Sequence, residues 1–234
     1  MSDTITSPSG RTFSCIGVAT TTHFSNRLPK KIYSLGPKGT IYWGGAGLDG
    51  AYIADQIQAL KNVGIQDVSE GDGDKGHEII DAIRTGTSLR YQDSGGSWPV
   101  AYKFSSSSKQ FNLIGYSYGS LIAARTADFY TIRGYVIDHL VLIASPIDQG
   151  FYNSLAMNKR IKNIIHINLT DVEDPIFVGI SEPDLVSSIA ILEEQDKASG
   201  TTEGFGHFYF RPDSDEGRRR RANLAKYLYE QGLR

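Results

Sequence analysis

The stretch "FNLIGYSYGSLIAAR", residues 111–125, changes its hydrophobic period at Ser117. Before the serine, Phe111, Leu113 and Ile114 form an apolar run short enough for a buried strand. After it, Leu121, Ile122, Ala123, Ala124 and Ala127 make a small-residue apolar helix of the kind that packs flat on a sheet. Gly115 and Gly119 flank the serine at two residues on either side. Side chains there would collide if the chain turned sharply enough to lift the hydroxyl above the sheet. The spacing is G-x-S-x-G, and its setting between strand and helix is the one that presents a serine as a nucleophile. A glycine-rich turn with an incidental serine is the competing reading, and the strand–turn–helix context weighs against it.

The rest of the chain sets the limits. Its 234 residues suit one α/β domain, residues 1–234, with a full core. A hydrophobic fraction of 40% against 21% charged residues is that of a globular protein rather than a disordered one. The net charge of -2 gives nucleic acid no electrostatic footing. A single cysteine, Cys15, excludes an internal disulfide framework. The first 20 residues lack a basic start and an apolar core, so the expectation is a chain that is cytoplasmic as synthesised, without a signal peptide. No apolar run is long enough to cross a bilayer.

Outward from the elbow, strands and helices alternate. "RTFSCIGVAT" and "KKIYSLG" read as early strands and "GTIYWGG" as a short buried one. "AYIADQIQALKNVG" reads as an amphipathic helix closed by Gly64, followed by a strand in "IQDVSE" and a short helix in "HEIIDAIRTG". "DSGGSWPVAYKFSSSSKQ" reads as a surface loop. Beyond the elbow come the strands "DHLVLIAS" and "NIIHINL", a helix around "PDLVSSIAILEEQ" and a terminal helix near "RRRANLAKYLYEQG". The alternation predicts a mostly parallel central sheet flanked by helices. "SPIDQGFYNSLAMNKR" is too short for a large lid domain, and its Ile147, Phe151, Tyr152, Leu155 and Met157 either line an apolar acyl site or pack in the core.

A serine nucleophile needs a base, and the base needs an acid to hold its tautomer. Both belong on loops at the carboxyl ends of later strands. Of five histidines, His166 reads as a core residue within "IIHINL", His139 as a strand-edge residue, His77 as part of a helix's first turn, and His23 as a loop residue. His207, last in the chain and preceded by two glycines in "EGFGHFYF", is the candidate base; packing among Phe205, Phe208 and Tyr209 is its alternative. In "TDVEDPIF" both Asp174 and Asp171 have the right address for the acid, unless they merely cap a turn. Asp174 is favoured because Pro175 and Ile176 would fix its turn.

Oxyanion donors are expected at the backbone of Tyr118, directly after the nucleophile, and in "YWGGAGLDG", at Gly45 and Ala46. A competing dinucleotide fingerprint through Gly45, Gly47 and Gly50 finds only a loose acidic partner in Glu70. A calcium loop over "DGDKGHEIIDAI" fails, since His77 stands where glycine is required and Ile83 where the bidentate glutamate belongs. The run Arg218 to Arg221 reads as a solvated helix face, with contact to anionic lipid as the alternative.

Taken together, the elbow, the glycine-rich turn after an early strand, the order Ser117, Asp174, His207 and the "EDPI" motif resemble the α/β-hydrolase superfamily. The likeness runs from about Thr40 to the carboxyl terminus; Asp171, where the superfamily often has glycine, departs from it and leaves the acid open between Asp174 and Asp171. "INLTDVEDPIF" and "GHFYF" near a terminal helix are further similar to small bacterial lipase-type effectors, including those of type VI secretion. The resemblance implies a serine esterase or lipase that needs neither cofactor nor metal and acts through an acyl-enzyme on a lipid or phospholipid acyl ester. Phe151 and Tyr152 are then candidates for substrate contact. It also implies transient contact with a membrane surface, export by a signal-independent route and, for an effector, a cognate immunity or adaptor protein. A thioesterase or amidase would use the same three residues, and a non-catalytic binding module could keep the fold without the chemistry.

Overall fold

Three strands are apolar on both faces, and they form the middle of a sheet that is covered on both sides. The computed structural model describes residues 37–45, 50–71, 108–199 and 203–234, and the backbone of 4–6 and 12–14. Strands β1 (Thr4–Thr6) and β2 (Thr12–Ser14) pair antiparallel as a ribbon. The main sheet holds β3 (Gly39–Trp43), β4 (Val68–Glu70), β5 (Phe111–Tyr116), β6 (Ile137–Ile143) and β7 (Ile161–Ile167). Its order is β4-β3-β5-β6-β7, and every neighbouring pair is parallel. β3, β5 and β6 are buried along their whole length.

The chain first steps outward from β3 to β4, then reappears on the other side of β3 as β5 and proceeds to β6 and β7. The order therefore reverses between β3 and β5. In open α/β sheets a crevice forms at the carboxyl ends of the strands at such a point.

Pleating sends alternate residues to opposite faces. On one face Ile41, Trp43, Phe111 and Leu113 pack with helix α2 (Tyr118–Ile132), through Leu121, Ile122, Ala124 and Ala127, and with Leu155 of α3 (Gln149–Ala156). Tyr42, Ile114, Tyr116, Val141 and Ile143 pack on the other face with α1 (Ala51–Asn62) and the terminal helix α6 (Asp215–Glu230). The result is a three-layer α/β protein. Gly64, with φ +98°, closes α1 in the left-handed conformation, as its position in the sequence leads one to expect.

The expected single helix over "PDLVSSIAILEEQ" is two, α4 (Glu182–Ser187) and α5 (Ile189–Ser199). The hydroxyls of Ser187 and Ser188 donate to the carbonyls of Asp184 and Leu185, in competition with the helical ladder. The break lets Leu185 and Leu192 share a small third core with Ile176 and Ile180.

Two histidine assignments are exchanged. His166 is exposed rather than in the core, because β7 is an edge strand with a neighbour on one side only. His139 is the buried one, 4% exposed, because β6 is interior. Of the Ile147–Met157 set, Ile147 and Leu155 belong to the core and Met157 is exposed. Several expectations fall outside the described residues: the strand in "KKIYSLG", the helix in "HEIIDAIRTG", most of the 93–110 loop, His23, His77, Ala46, Gly47, and Asp72, Asp74 and Ile83 of the rejected calcium loop.

Candidate active site

Ser117 stands where β5 ends and α2 begins, at φ 55° and ψ -127°. This backbone is unfavourable for an L residue, by about 1–3 kcal/mol, and persists only where its surroundings overdetermine it. They do. A Cβ on Gly115 would lie 2.3 Å from the Gly119 carbonyl oxygen and 2.4 Å from the Ser120 Cα. A Cβ on Gly119 would lie 2.2 Å from the carbonyl oxygen of Gly44 and 2.6 Å from that of Trp43. Both glycines are thus required by backbone contacts, and the second brings the end of β3 against the turn. The Ser117 N–H donates to the Ile143 carbonyl at 2.8 Å, which ties the turn to β6. The Ser120 hydroxyl, linked to that of Ser145 at 2.7 Å, holds the Ser117 carbonyl from below.

The Ser117 Oγ lies 2.6 Å from the Nε2 of His207. On the far side of the ring, Nδ1 faces both carboxylate oxygens of Asp174, at 3.0 and 3.1 Å. In a neutral imidazole these contacts select the tautomer in which Nδ1–H donates to Asp174 and the Nε2 lone pair accepts from the serine hydroxyl. The structure thus brings together Ser117, His207 and Asp174, all at the carboxyl end of the sheet beside the β3/β5 reversal.

Asp174 follows the turn after β7, directly behind Glu173 in the left-handed conformation at φ 70°. Its carboxylate is fully buried and accepts the Ile176 N–H at 2.8 Å. Ile176 is itself anchored in the third core. Asp171 is exposed on the preceding turn, and the carboxylate against His207 is Asp174's.

His207 sits in a single helical turn, Gly206–Phe208, and is 8% exposed. Its backbone is held at both polar groups. The N–H donates to Gln195 Oε1 at 2.9 Å, and the carbonyl accepts from the Tyr116 hydroxyl. The Tyr116 ring also stacks on the imidazole, with centroids 5.9 Å apart. Burial pushes the Tyr116 phenol well above the ordinary tyrosine range, so its hydroxyl stays a donor. Behind the turn, the arginine run is not a uniform solvated face. Arg218 and Arg219 are exposed and paired with acids, while Arg220 donates to the carbonyls of Glu203, Gly204 and Tyr209. Arg221 is fully buried, bonded to Asp55 at 2.6 Å and to the carbonyls of Phe210 and Pro212. Two arginines of the four therefore support the histidine segment from α6.

The expected oxyanion donors fare differently. Tyr118 opens α2, where backbone N–H groups lie at the positive end of the helix. The Gly45 N–H donates to the Tyr52 hydroxyl at 2.9 Å, so this amide is already committed within the protein. Phe151 lies under the Arg125 guanidinium, 3.8 Å from its ring centre, and the Tyr152 hydroxyl meets His166 Nδ1 at 3.2 Å. Their partners are thus on the α2–α3 face rather than the Ser117–His207 pair. Among the described residues no cluster of three or more histidine, cysteine or acidic side chains is placed to hold a metal ion, and no helix is long and apolar enough to cross a membrane.

Sequence reasoning misses Gln195 and Tyr116. Tyr116 is part of the elbow motif itself, but nothing local says that its hydroxyl reaches a residue 91 positions away. Gln195 does leave a trace: it continues the buried stripe Leu185, Ser188, Leu192 of its helices, a polar residue on an inward face.

The sequence matches no model of a known protein family, and no curated protein matches it. What the fold and site define is an α/β protein whose parallel sheet carries a serine, a histidine and an aspartate in hydrogen-bonded series at its carboxyl edge.

Proposed function

We propose that this chain is a serine hydrolase of the α/β-hydrolase type that cleaves a carboxylic ester, with an acyl lipid or phospholipid as the substrate class. The observation that carries the reading is the continuous series from Ser117 Oγ through His207 to Asp174, set on a strained turn between two obligatory glycines. Ser117 Oγ attacks the ester carbonyl carbon as its proton passes to His207 Nε2. Asp174 holds the ring and stabilises the imidazolium that forms. The Tyr118 N–H faces the developing oxyanion. The protonated Nε2 then gives its proton to the departing alkoxide, which leaves an ester on Ser117. Water repeats the sequence: its proton goes to Nε2, its oxygen to the acyl carbon, and Ser117 recovers its hydrogen as the acid departs.

The acyl-lipid class is the reading's own extension from the serine, histidine and aspartate series, which serves any carboxylic ester. Ser117→Ala is expected to lower turnover of a 4-nitrophenyl acyl ester by about 10⁴- to 10⁶-fold with the fold intact. A fluorophosphonate should label the wild type stoichiometrically at Ser117. Folded wild type that neither turns over esters nor takes the label would sink the hydrolase and favour a binding module.

A further inference from the structure

We infer that Gln195 is a positioning residue that sets the distance between the acid and the base, an inference that rests on the hydrolase reading for its consequence in turnover. The acid and the base lie 33 residues apart on two separate segments, neither of which is in a strand. Each is held locally by turns with left-handed backbone: Glu173 at φ 70° before the acid, Gly204 at φ 70° and Gly206 at φ 57° before the base. Such turns are individually soft with respect to each other, because no ladder of backbone hydrogen bonds joins them.

One buried amide joins them. Gln195, on α5 and 3% exposed, donates from Nε2 to the Glu173 carbonyl at 2.8 Å and accepts the His207 N–H at Oε1, 2.9 Å away. The two bonds leave from one rigid plane, so the residue before the acid and the base itself are fixed at the span of a carboxamide. The glycine at 206 is what admits it. A Cβ there would lie 2.2 Å from Gln195 Nε2 and 2.3 Å from its Cδ. The polarity of the clamp is also specific: one end must donate and the other accept, which glutamine does and neither a carboxylate nor a thioether does.

The consequence is geometric. The 2.6 Å contact between Ser117 and His207 and the two contacts with Asp174 have to coexist on one ring. A displacement on the order of 1 Å at such a centre costs up to about 100-fold in rate. Gln195→Met keeps the length and volume and removes both bonds. Its kcat for a 4-nitrophenyl ester should fall about 10- to 100-fold with KM changed by less than about twofold. Gln195→Glu, whose carboxylate sets a second acceptor against the Glu173 carbonyl and buries an unpaired charge, should fall at least as far as Gln195→Met. In the proton NMR spectrum, the low-field His207 Nδ1–H resonance (assigned by its absence from His207→Ala) should broaden or move upfield in Gln195→Met.

A variant that loses thermal stability but keeps both kcat and the Nδ1–H resonance would overturn the inference, since the amide would then be structural only. Unlabelled, inactive wild type would instead remove the hydrolase reading. The resonance would still decide the clamp: changed in Gln195→Met supports it, and unchanged refutes it.

Discussion

At the carboxyl edge of the sheet His207 lies between a hydroxyl and a carboxylate; towards the amino ends of the strands His139 lies between two amides. Both rings are buried, at 8% and 4% exposure. His139 Nδ1 meets Asn112 Oδ1 at 2.9 Å, and its Nε2 meets Asn163 Nδ2 at 3.3 Å. All three residues belong to regular strands, β5, β6 and β7, and lie side by side in register. The carboxyl edge is built the other way. Among the described residues, three at this edge, Ser117, Ala144 and Glu173, are non-glycine residues at positive φ, and Asp67, before β4, is the exception elsewhere. A polar network used for packing can be satisfied within relaxed strands, and one whose groups must face a reacting atom requires strained turns to aim them. The partners carry the second difference. Neutral amides face His139, and a carboxylate faces His207, which in the hydrolase proposed above takes and returns a proton.

The sharpest way to break this contrast is to make the first site resemble the second. Asp174→Asn replaces the carboxylate against His207 Nδ1 by an amide, as at His139. It removes the stabilisation of the imidazolium and allows the wrong tautomer. Ester turnover should drop by about 10³- to 10⁴-fold while the protein stays folded. Asp171→Asn, at an exposed carboxylate, should stay within about twofold. The reverse ranking in steady-state kinetics would move the acid to Asp171, against the distances.

The strain in the carboxyl edge is open to a separate measurement. Gly119→Ala places a methyl group 2.2 Å from the Gly44 carbonyl oxygen, and the atoms in its way are backbone that cannot rotate aside. It should cost about 3 kcal/mol of stability in urea unfolding. Gly134→Ala is the control. Unlike Gly119 it is at positive φ, +88°, but its methyl group would meet nothing within 4 Å, so only the backbone preference is lost, about 1–2 kcal/mol. Equal losses for the two would mean that the turn is less tightly packed against β3 than the contact describes.

The same contrast explains what can be read from the sequence. The elbow is legible because everything that shapes it is local: Gly115, Ser117, Gly119 and the change of period between Leu113 and Leu121. The parallel sheet is legible for a similar reason, since alternating strands and helices leave few other arrangements. Asp174 is legible as the carboxylate that meets His207 because Pro175 and Ile176 announce a fixed turn. Gln195 is not, since its two partners, Glu173 and His207, are distant in sequence and are met through backbone atoms that any residue would offer. Nor is the Gly45–Tyr52 bond, which takes up an amide expected to face the serine. The exchange of His139 and His166 has another cause. Periodicity tells which face a residue occupies, but whether its strand is interior or at the edge is a property of the sheet order.

The smallest effect belongs to His139, and it tests whether the amide-bound site is held neutral. Burial pushes its pKa below the ordinary value of 6.5, with Asp138 and the Gln231 backbone pulling the other way and Lys162 and Arg234 adding to the decrease. Around the ring, Asn112 Oδ1 lies 2.9 Å from Nδ1 and Asn163 Nδ2 lies 3.3 Å from Nε2, so neither amide offers the imidazolium a charged partner. The unfolded chain therefore binds a proton at this residue at a higher pH than the folded one. Stability rises with pH wherever the unfolded state holds more protons. The contribution of a neutral His139 is then fully present above the unfolded pKa and is lost as pH falls through it towards the folded value. One group changes the slope by at most about 1.4 kcal/mol per pH unit. His139→Gln, which keeps a donor and an acceptor but cannot titrate, removes this contribution. The difference in unfolding free energy between wild type and His139→Gln, followed by urea titration from about pH 7.5 to about pH 5, should shift steadily against the wild type as the solution is acidified. A difference that stays constant over that range would mean that His139 titrates alike in both states. The amide-bound site would then tolerate charge, and the distinction drawn between the two histidines would have to rest on backbone strain alone.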